Sequence, residues 1–414
     1  MKMLNNVDPS VYAIIEAEKK RQTEGLEMIA SENYVSEAVL EAQGSVLTNK
    51  YSEGYPGQRY YGGCEEIDKA ETLAIERLKE LFGCKFANVQ PHCGSSANMA
   101  AYYATINVGD KILGQSLDAG GHLTHGAKVS FSGHIYESHS YGLNEKSGVL
   151  DYDEIMDTAK KVQPKAIMCG YSAYPRQLDF KKFRAIADAV GAVLIADIAH
   201  IAGLVATGFH PSPIGVADIV TSTTHKTLRG PRSGIIMTNN EDLAKKIDKA
   251  IFPGLQGGPL EHIIAAKAVA FGEALKPEFK EYIKNVLDNM QTFANTLTSF
   301  DFDLVTGGTD NHLILVDLRG KGVTGKEFET ALGKAGITVN KNSIPKDPNP
   351  PKVTSGIRVG TAALTTRDMG AAEMQRIAEM FNIVAENVDD EKTLATIRKE
   401  VHGMTKDFPV PGIN

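Results

Sequence analysis

The chain has 414 residues, 42% of them hydrophobic and 23% charged, and its 44 basic and 51 acidic side chains leave a formal net charge of -7. Such a chain can bury a sizeable core in one large domain or about two, and its mild acidity gives no electrostatic footprint for nucleic acid. Cys64, Cys84, Cys93 and Cys169 show no Cys-x-x-Cys spacing and no basic-then-apolar leader precedes Asp8, so disulfides and cysteine-held metal are not expected and a reducing cytoplasm is the expected compartment.

In chain order, the first chemically suggestive segment follows Phe86-Ala87-Asn88-Val89, which reads as a strand, and precedes a helical Ala/Met/Tyr run. The connection His92-Cys93-Gly94-Ser95-Ser96-Ala97-Asn98 is rich in small residues. Small residues let backbone N–H groups approach an anion, so this helix N-terminus is a candidate phosphate site.

Lys165 to Gly170 then reads as a strand, Phe180 to Ala189 has apolar residues at helical spacing, and Ala192 to Ala196 returns as a strand. This alternation predicts a parallel α/β sheet. Val190 to Val205 is nearly all apolar, but as a membrane span it would place Asp197 and His200 mid-bilayer. The aspartate alone would cost about 2.5–3.5 kcal/mol there, so a buried strand plus a turn is expected instead.

Ser172, Asp197, His200 and Lys226 all fall just after such runs, where open α/β sheets gather ligand contacts. Lys226 lies in Thr223-Thr224-His225-Lys226-Thr227-Leu228-Arg229-Gly230-Pro231-Arg232, directly after Ala217-Asp218-Ile219-Val220. A strongly hydrated charge between buried segments is costly unless its pKa falls and exposes a nucleophilic amine. A carboxylate and a lysine at adjacent strand ends fit pyridoxal phosphate. The lysine binds the aldehyde, and the aspartate keeps the ring nitrogen protonated so that the ring withdraws electrons.

After about Phe252 the pattern becomes helical, from Pro259 to Leu275 and again from Pro277 to about Phe300. A domain boundary is placed at Pro277, giving an N-terminal segment with a large cofactor-binding domain over 1–276 and a small domain over 277–414. From Phe302 the chain reads as α+β, with Asn311 to Leu318 the clearest strand, and a Pro-rich loop from Ile344 to Pro351 leads to Gly356-Ile357-Arg358-Val359-Gly360. No internal repeat or low-complexity tract is evident.

These segments carry a resemblance over nearly the full length to serine hydroxymethyltransferase of the bacterial type, a pyridoxal phosphate enzyme. The resemblance implies the aspartate-aminotransferase-like α/β fold (fold type I). It expects a large domain with a mainly parallel sheet and a smaller α+β C-terminal domain. The motifs are Ile29-Ala30-Ser31-Glu32-Asn33, Asn49 to Gly57, Arg59-Tyr60-Tyr61-Gly62-Gly63, Gly120-Gly121-His122-Leu123-Thr124-His125-Gly126 and the Lys226 segment. Gln256-Gly257-Gly258-Pro259, Gly307 to His312 and Thr354 to Thr361 continue it.

The resemblance implies roles position by position. Lys226 matches the lysine bound to the cofactor and Asp197 the partner of its ring nitrogen. His122 matches the imidazole stacked on the ring, and Arg358 the residue that grips the substrate carboxylate, a task suited to a planar fork of donors. Glu53 matches the acid that handles protons around the hydroxymethyl group, Tyr51 a phosphate contact and Tyr61 an active-site phenol, all on a segment that reaches the neighbouring subunit's site. Gly94 and Ser95 match the phosphate loop, with Gly257 and Gly258 adding donors from the other chain. Ser172, His200 and Thr223 match residues around the cofactor, and Ser31 joins Glu53, Tyr61 and Arg358 around the substrate. Leu117, Gly121, Leu123 and Asn342 match folate positions.

Cys93, Ser96, Ala119, Tyr171, Ser233 and Ala362 depart from the family pattern, and none of these changes removes a catalytic group. The implied reaction is reversible transfer of the serine hydroxymethyl group to tetrahydrofolate, giving glycine and methylene-tetrahydrofolate. It is expected in a cytoplasmic homodimer with shared active sites and no nucleic-acid, membrane or metal partner. Two rivals differ in class. A folate-independent β-hydroxy amino acid aldolase or transaldolase would keep Lys226, Asp197 and Arg358 without needing Asn342 or Glu53, and an idle binding relative would lack the lysine or the phosphate loop.

Overall fold

A computed structural model describes residues 2–413. Its centre is a seven-stranded sheet. The strands are β1 (Phe86–Asn88), β2 (Lys111–Gln115), β3 (Glu137–Tyr141), β4 (Ala166–Gly170), β5 (Val193–Asp197), β6 (Ile219–Thr223) and β7 (Gly234–Thr238). They lie in the order β1-β7-β6-β5-β4-β2-β3. Every pairing is parallel except those of β7, which runs antiparallel to both β1 and β6. The mainly parallel α/β architecture expected from the sequence is the one observed.

A parallel sheet covered on both faces buries whole strands, and β4, β6 and β7 are buried along their full length. The expected strands at 165–170 and 192–196 appear as β4 and β5. The run ending at Val220 differs, because β6 starts at Ile219 and continues through Thr221, Ser222 and Thr223, whose backbones join the ladder while their side chains stay buried. Register places Asp197 beside Gly170 on one side and Thr221 on the other, at the carboxyl edge of the sheet. Gly170 has φ 136°, and a Cβ there would lie 2.2 Å from the Asp197 carbonyl oxygen, so only glycine allows the chain to turn this close to β5.

The covering helices follow their sequence signals. α1 (Glu65–Phe82) and α2 (Gly94–Thr105) flank β1 in the chain, and α3 (Phe180–Val190) joins β4 to β5. In α3 Asp179 accepts the Lys182 N–H as the cap, Phe180, Phe183, Ile186 and Ala187 form the buried stripe, and Gly191 ends the helix with φ 65°. Phe183 is fully buried in the main core, so truncating it to Ala would cost about 3–5 kcal/mol.

α4 (Glu261–Ala274) and α5 (Pro277–Ser299) follow, with Pro277 in the first turn of α5, where its missing N–H costs nothing. α5 spans two cores. Phe279, Ile283 and Val286 join the core around the large sheet. Met290, Phe293 and Leu297 join a second core over an antiparallel sheet. That sheet contains β8 (Asp303–Leu304), β9 (Leu313–Asp317), β10 (Asn340–Asn342) and β11 (Gly356–Gly360), in the order β8-β9-β11-β10. Leu26 and Met28 also pack into the second core, and Leu26–Glu27 pairs in parallel with Ile337–Thr338. Among the described residues no helix is long and apolar enough to cross a membrane.

Candidate active site

The carboxyl ends of β4, β5 and β6 converge on a cavity of about 270 Å³ lined by Ser31, Gly94, Ser95, His122, Ser172, Asp197, His200, Thr223 and Lys226 among others. Nine positions singled out in the sequence, from widely separated segments, therefore meet at one place. Lys226 donates from Nζ to Thr223 Oγ1 at 3.0 Å. Burial lowers its pKa to about 8; the Asp197 carboxylate opposes this, while Arg358 and Arg232 add to it. An amine in that range has an appreciable neutral, nucleophilic fraction near neutral pH.

Asp197 is held as an anion. Its Oδ2 accepts from Asn98 Nδ2 at 2.8 Å and lies 3.0 Å from His125 Nε2, while Oδ1 accepts the Ala199 N–H at 3.0 Å. Burial works against ionisation, but the hydrogen bond and charge of His125 outweigh it and hold the carboxyl well below the usual carboxylate range. Thr221 Oγ1 donates to Asn98 Oδ1 at 2.6 Å, extending the network to β6.

His122 and His200 are neutral for a common reason. Burial lowers His122 to about 4, with the charge of His125 adding to the effect, and its Nδ1 accepts the Thr124 N–H at 3.2 Å. Burial, reinforced by Lys226 and Arg358, also puts His200 well below its ordinary value. His200 stacks on His312 with ring centroids 5.5 Å apart.

The N-terminus of α2 also lines the cavity, through Cys93, Gly94 and Ser95. Cys93, the N-cap, makes no side-chain cap hydrogen bond, and the first turn carries no acidic residue. A Cβ at Gly94 would lie 2.7 Å from Thr223 Cγ2, so the approach of this loop to β6 depends on glycine. His225 Nδ1 is buried and has no hydrogen-bond partner among the described residues, and Arg232 also lines the cavity. An amine able to lose its proton, a carboxylate held ionised and an uncapped helix N-terminus with Ser95 beside it form a donor set that fits pyridoxal phosphate.

Arg358, on β11, reaches the same edge. It donates to the Ser172 carbonyl at 2.7 Å, to Ser31 Oγ at 3.1 Å and to Asn340 Oδ1 at 3.1 Å. Burial lowers its pKa to about 10, which leaves it cationic at neutral pH. A buried guanidinium whose hydrogen-bond partners are all neutral is suited to receive a carboxylate.

A second group of sequence-predicted residues lies elsewhere. Tyr51 and Tyr61 pack edge to face with centroids 5.3 Å apart, and the Tyr51 hydroxyl donates to Glu53 Oε1 at 3.3 Å. A Cβ on Gly257 would lie 3.2 Å from Glu53 Oε1, and one on Gly258 3.3 Å from the Tyr51 ring. None of these five residues lines the Lys226 cavity, and Tyr51 and Tyr61 are 55% and 48% exposed. The segment is fixed from beneath by Arg59, which donates to Asp68 at 2.8 Å and to Glu71 at 2.6 Å, and by Ser52, whose Oγ donates to Glu261 at 2.6 Å.

Leu117, Gly121, Leu123 and Asn342 are also outside the cavity lining. Leu117 and Leu123 are exposed, the Gly121 N–H donates to the Ser116 carbonyl, and Asn342 ends β10 opposite Gly356. The unusual residues are accommodated structurally. Cys93 Sγ lies 3.3 Å from Ser96 Oγ, the Tyr171 hydroxyl accepts from Asn311 at 2.9 Å, and Ser233 donates to the Pro91 carbonyl at 3.0 Å. The Ala119 and Ala362 carbonyls accept from Gln115 and Tyr282. Sequence reasoning did not single out Asn98, His125, His225 or Arg232. The signals were present, since Asn98 closes the phosphate-loop motif and His125 repeats His122 three positions on.

Comparison with known proteins agrees with this geometry. The family model "Serine hydroxymethyltransferase" matches residues 4–381. The chain is also 59% identical over 410 residues to a serine hydroxymethyltransferase from a Nitratiruptor species, covering 99% of both chains. With a pyridoxal phosphate donor set at the carboxyl edge of a mainly parallel sheet and a match of this extent, the chain belongs to the serine hydroxymethyltransferase family.

Proposed function

We propose that the Lys226 cavity, completed by Glu53, Tyr51 and Tyr61 of a second copy of the chain, carries out reversible transfer of the serine hydroxymethyl group to tetrahydrofolate. The observation that carries the reading is the meeting of Lys226, Asp197, Arg358 and the α2 N-terminus at one sheet edge. Gly94, Ser95 and the free N–H groups of α2 would hold the cofactor phosphate, the Asp197 carboxylate would pair with its ring nitrogen, and the neutral His122 imidazole would pack against its ring. Ser172, His200 and Thr223 line its sides. Bound there, pyridoxal phosphate supplies an electron sink for the carbanion left when the hydroxymethyl carbon departs.

The chain's own groups do the rest. Arg358 and Ser31 fix the serine carboxylate and so orient the bond to be broken. Glu53 takes the proton from the serine hydroxyl oxygen as the hydroxymethyl carbon leaves, and Tyr61 donates to the same region. Lys226, poised near neutrality, anchors the cofactor and releases product. Leu117, Gly121, Leu123 and Asn342 form the folate side of the site.

Two experiments test this reading. Serine turnover with and without tetrahydrofolate separates a hydroxymethyltransferase from a folate-independent aldolase; equal rates in both conditions would favour the aldolase. Site sharing is tested by mixing inactive Lys226→Ala and Glu53→Gln chains. Random pairing makes about half the dimers hybrids, each with one site intact, so about a quarter of all sites should recover. No recovery despite proven hybrid formation would place Glu53 and Lys226 in one chain's site.

A further inference from the structure

Gln256 stands between the two groups of site residues. Its Oε1 accepts the His92 N–H at 3.0 Å and its Nε2 donates to the Gln90 carbonyl at 2.9 Å, so one side chain bridges the backbone that runs into Cys93-Gly94-Ser95. The next residues along the chain are Gly257 and Gly258, which pack on Glu53 and Tyr51 and whose N–H groups make no hydrogen bond among the described residues. The backbone of Gln256 is itself fixed, its N–H donating to the Ile251 carbonyl at 2.8 Å.

A second brace joins the same two segments. Lys267, on α4 beyond Gly258, is 1% exposed and gives its ammonium hydrogens to the carbonyls of Val89 and Pro91, ahead of the phosphate loop, and to that of Gly234 at 2.8 Å. The phosphate loop of a chain and its own Gly257-Gly258 segment therefore form one braced unit.

We propose that Gln256 is a positioning residue that ties the two cofactor sites of the dimer together, setting the phosphate loop of its own chain and, through Gly257 and Gly258, the donors given to the partner's cofactor phosphate. The inference rests on the shared-site reading above. Loss of the Gln256 amide frees the His92–Gly94 backbone at one site and the Gly257–Gly258 backbone at the other, so a substitution in one chain weakens cofactor binding at both.

Hybrid dimers with one competent lysine separate the two effects. One chain keeps Lys226 and carries Glu53→Gln; its partner carries Lys226→Ala and keeps Glu53. Gln256→Ala is then placed in the first chain, the second, both or neither. Pyridoxal phosphate is titrated, and borohydride reduction counts the fraction of Lys226 labelled. The expected result is a rise of about tenfold in the half-loading concentration for either single placement and a larger rise for both, as loss of backbone hydrogen bonds at a phosphate site predicts. Thermal midpoints at saturating cofactor should stay together.

An effect from only one of the placements, or from neither, overturns the proposal. If the alanine variant does not fold, Gln256→Met keeps the volume and removes both hydrogen bonds. Failure of the shared-site reading is seen separately, because hybrids with Gln256 intact would then have no activity.

Discussion

His125 Nε2 and Asp197 Oδ2 lie 3.0 Å apart inside the protein. This contact offsets the burial that would otherwise raise the Asp197 pKa. Replacing His125 with Ala leaves Asp197 with only Asn98 and the Ala199 N–H as partners. A hydrogen bond to a charged group is worth about 1.5–3 kcal/mol, so cofactor affinity in an apoenzyme titration should fall about 10- to 100-fold. Unchanged affinity would mean that Asn98 and Ala199 alone keep Asp197 ionised.

Lys226 should carry the cofactor. Borohydride reduction of the holoenzyme followed by peptide mapping is expected to find the pyridoxyl group on Lys226; finding it on Lys341 would refute the assignment. The pKa of about 8 adds a pH signature. Only the neutral amine attacks, so capture of cofactor by apoenzyme should speed up about tenfold per pH unit below that value and level off above it. A rise that continues steadily beyond about pH 9 would point to an ordinary lysine.

The way these two residues were legible in the sequence shows what a one-dimensional reading reaches. Asp197 directly follows the apolar run 192–196 and Lys226 comes soon after the run ending at Val220, so both fall near the sheet edge in the sequence itself, although β6 continues past Val220 to Thr223. The N-terminus of α2 was visible in the same way, as small residues between a strand and a helix. His125 and Asn98 stand inside motifs visible in the sequence, but their role is not visible there, because it comes from a shared contact with Asp197 across three segments. The small core was read only in part. Leu26 and Met28 belong to it through a parallel pairing with Ile337–Thr338, and a pairing so distant leaves no local pattern.

Arg358 should act on substrate and not on cofactor. Its three hydrogen bonds go to Ser172, Ser31 and Asn340, and none goes to the α2 loop or Lys226. Arg358→Ala should therefore keep the cofactor absorbance while serine binding weakens about 100-fold or more, as expected when a bidentate charge-assisted contact is lost. Arg358→Lys should recover little, because a point charge cannot reproduce the fork. Disappearance of the cofactor band in the alanine variant would show that Arg358 holds the site together.

Glu53 is expected to matter more with folate than without it. Glu53→Gln keeps the size and removes the proton carrier, so folate-dependent serine turnover should fall by about 100-fold or more, within the usual range for a general acid–base group. Cleavage of a bulkier β-hydroxy amino acid without folate should fall less. Equal losses in the two assays would remove the distinction on which this role depends.

Glu261 gives a prediction about stability. It is 1% exposed, with Oε1 accepting from Ser52 and Oε2 unpartnered among the described residues. Burial raises its pKa to about 7, Glu71 and Asp68 push it the same way, and Ser52 and Arg59 oppose them. With the folded value above the ordinary 4.5, the folded chain keeps a proton that the unfolded chain releases. The associated stability is full below about pH 4.5 and is lost as pH rises toward about 7, by at most about 3 kcal/mol. Glu261→Gln cannot ionise. Its thermal midpoint relative to the unsubstituted protein should therefore climb across that window and level off above about pH 7. A difference that stays constant at every pH would mean that Glu261 titrates alike in the folded and unfolded chains.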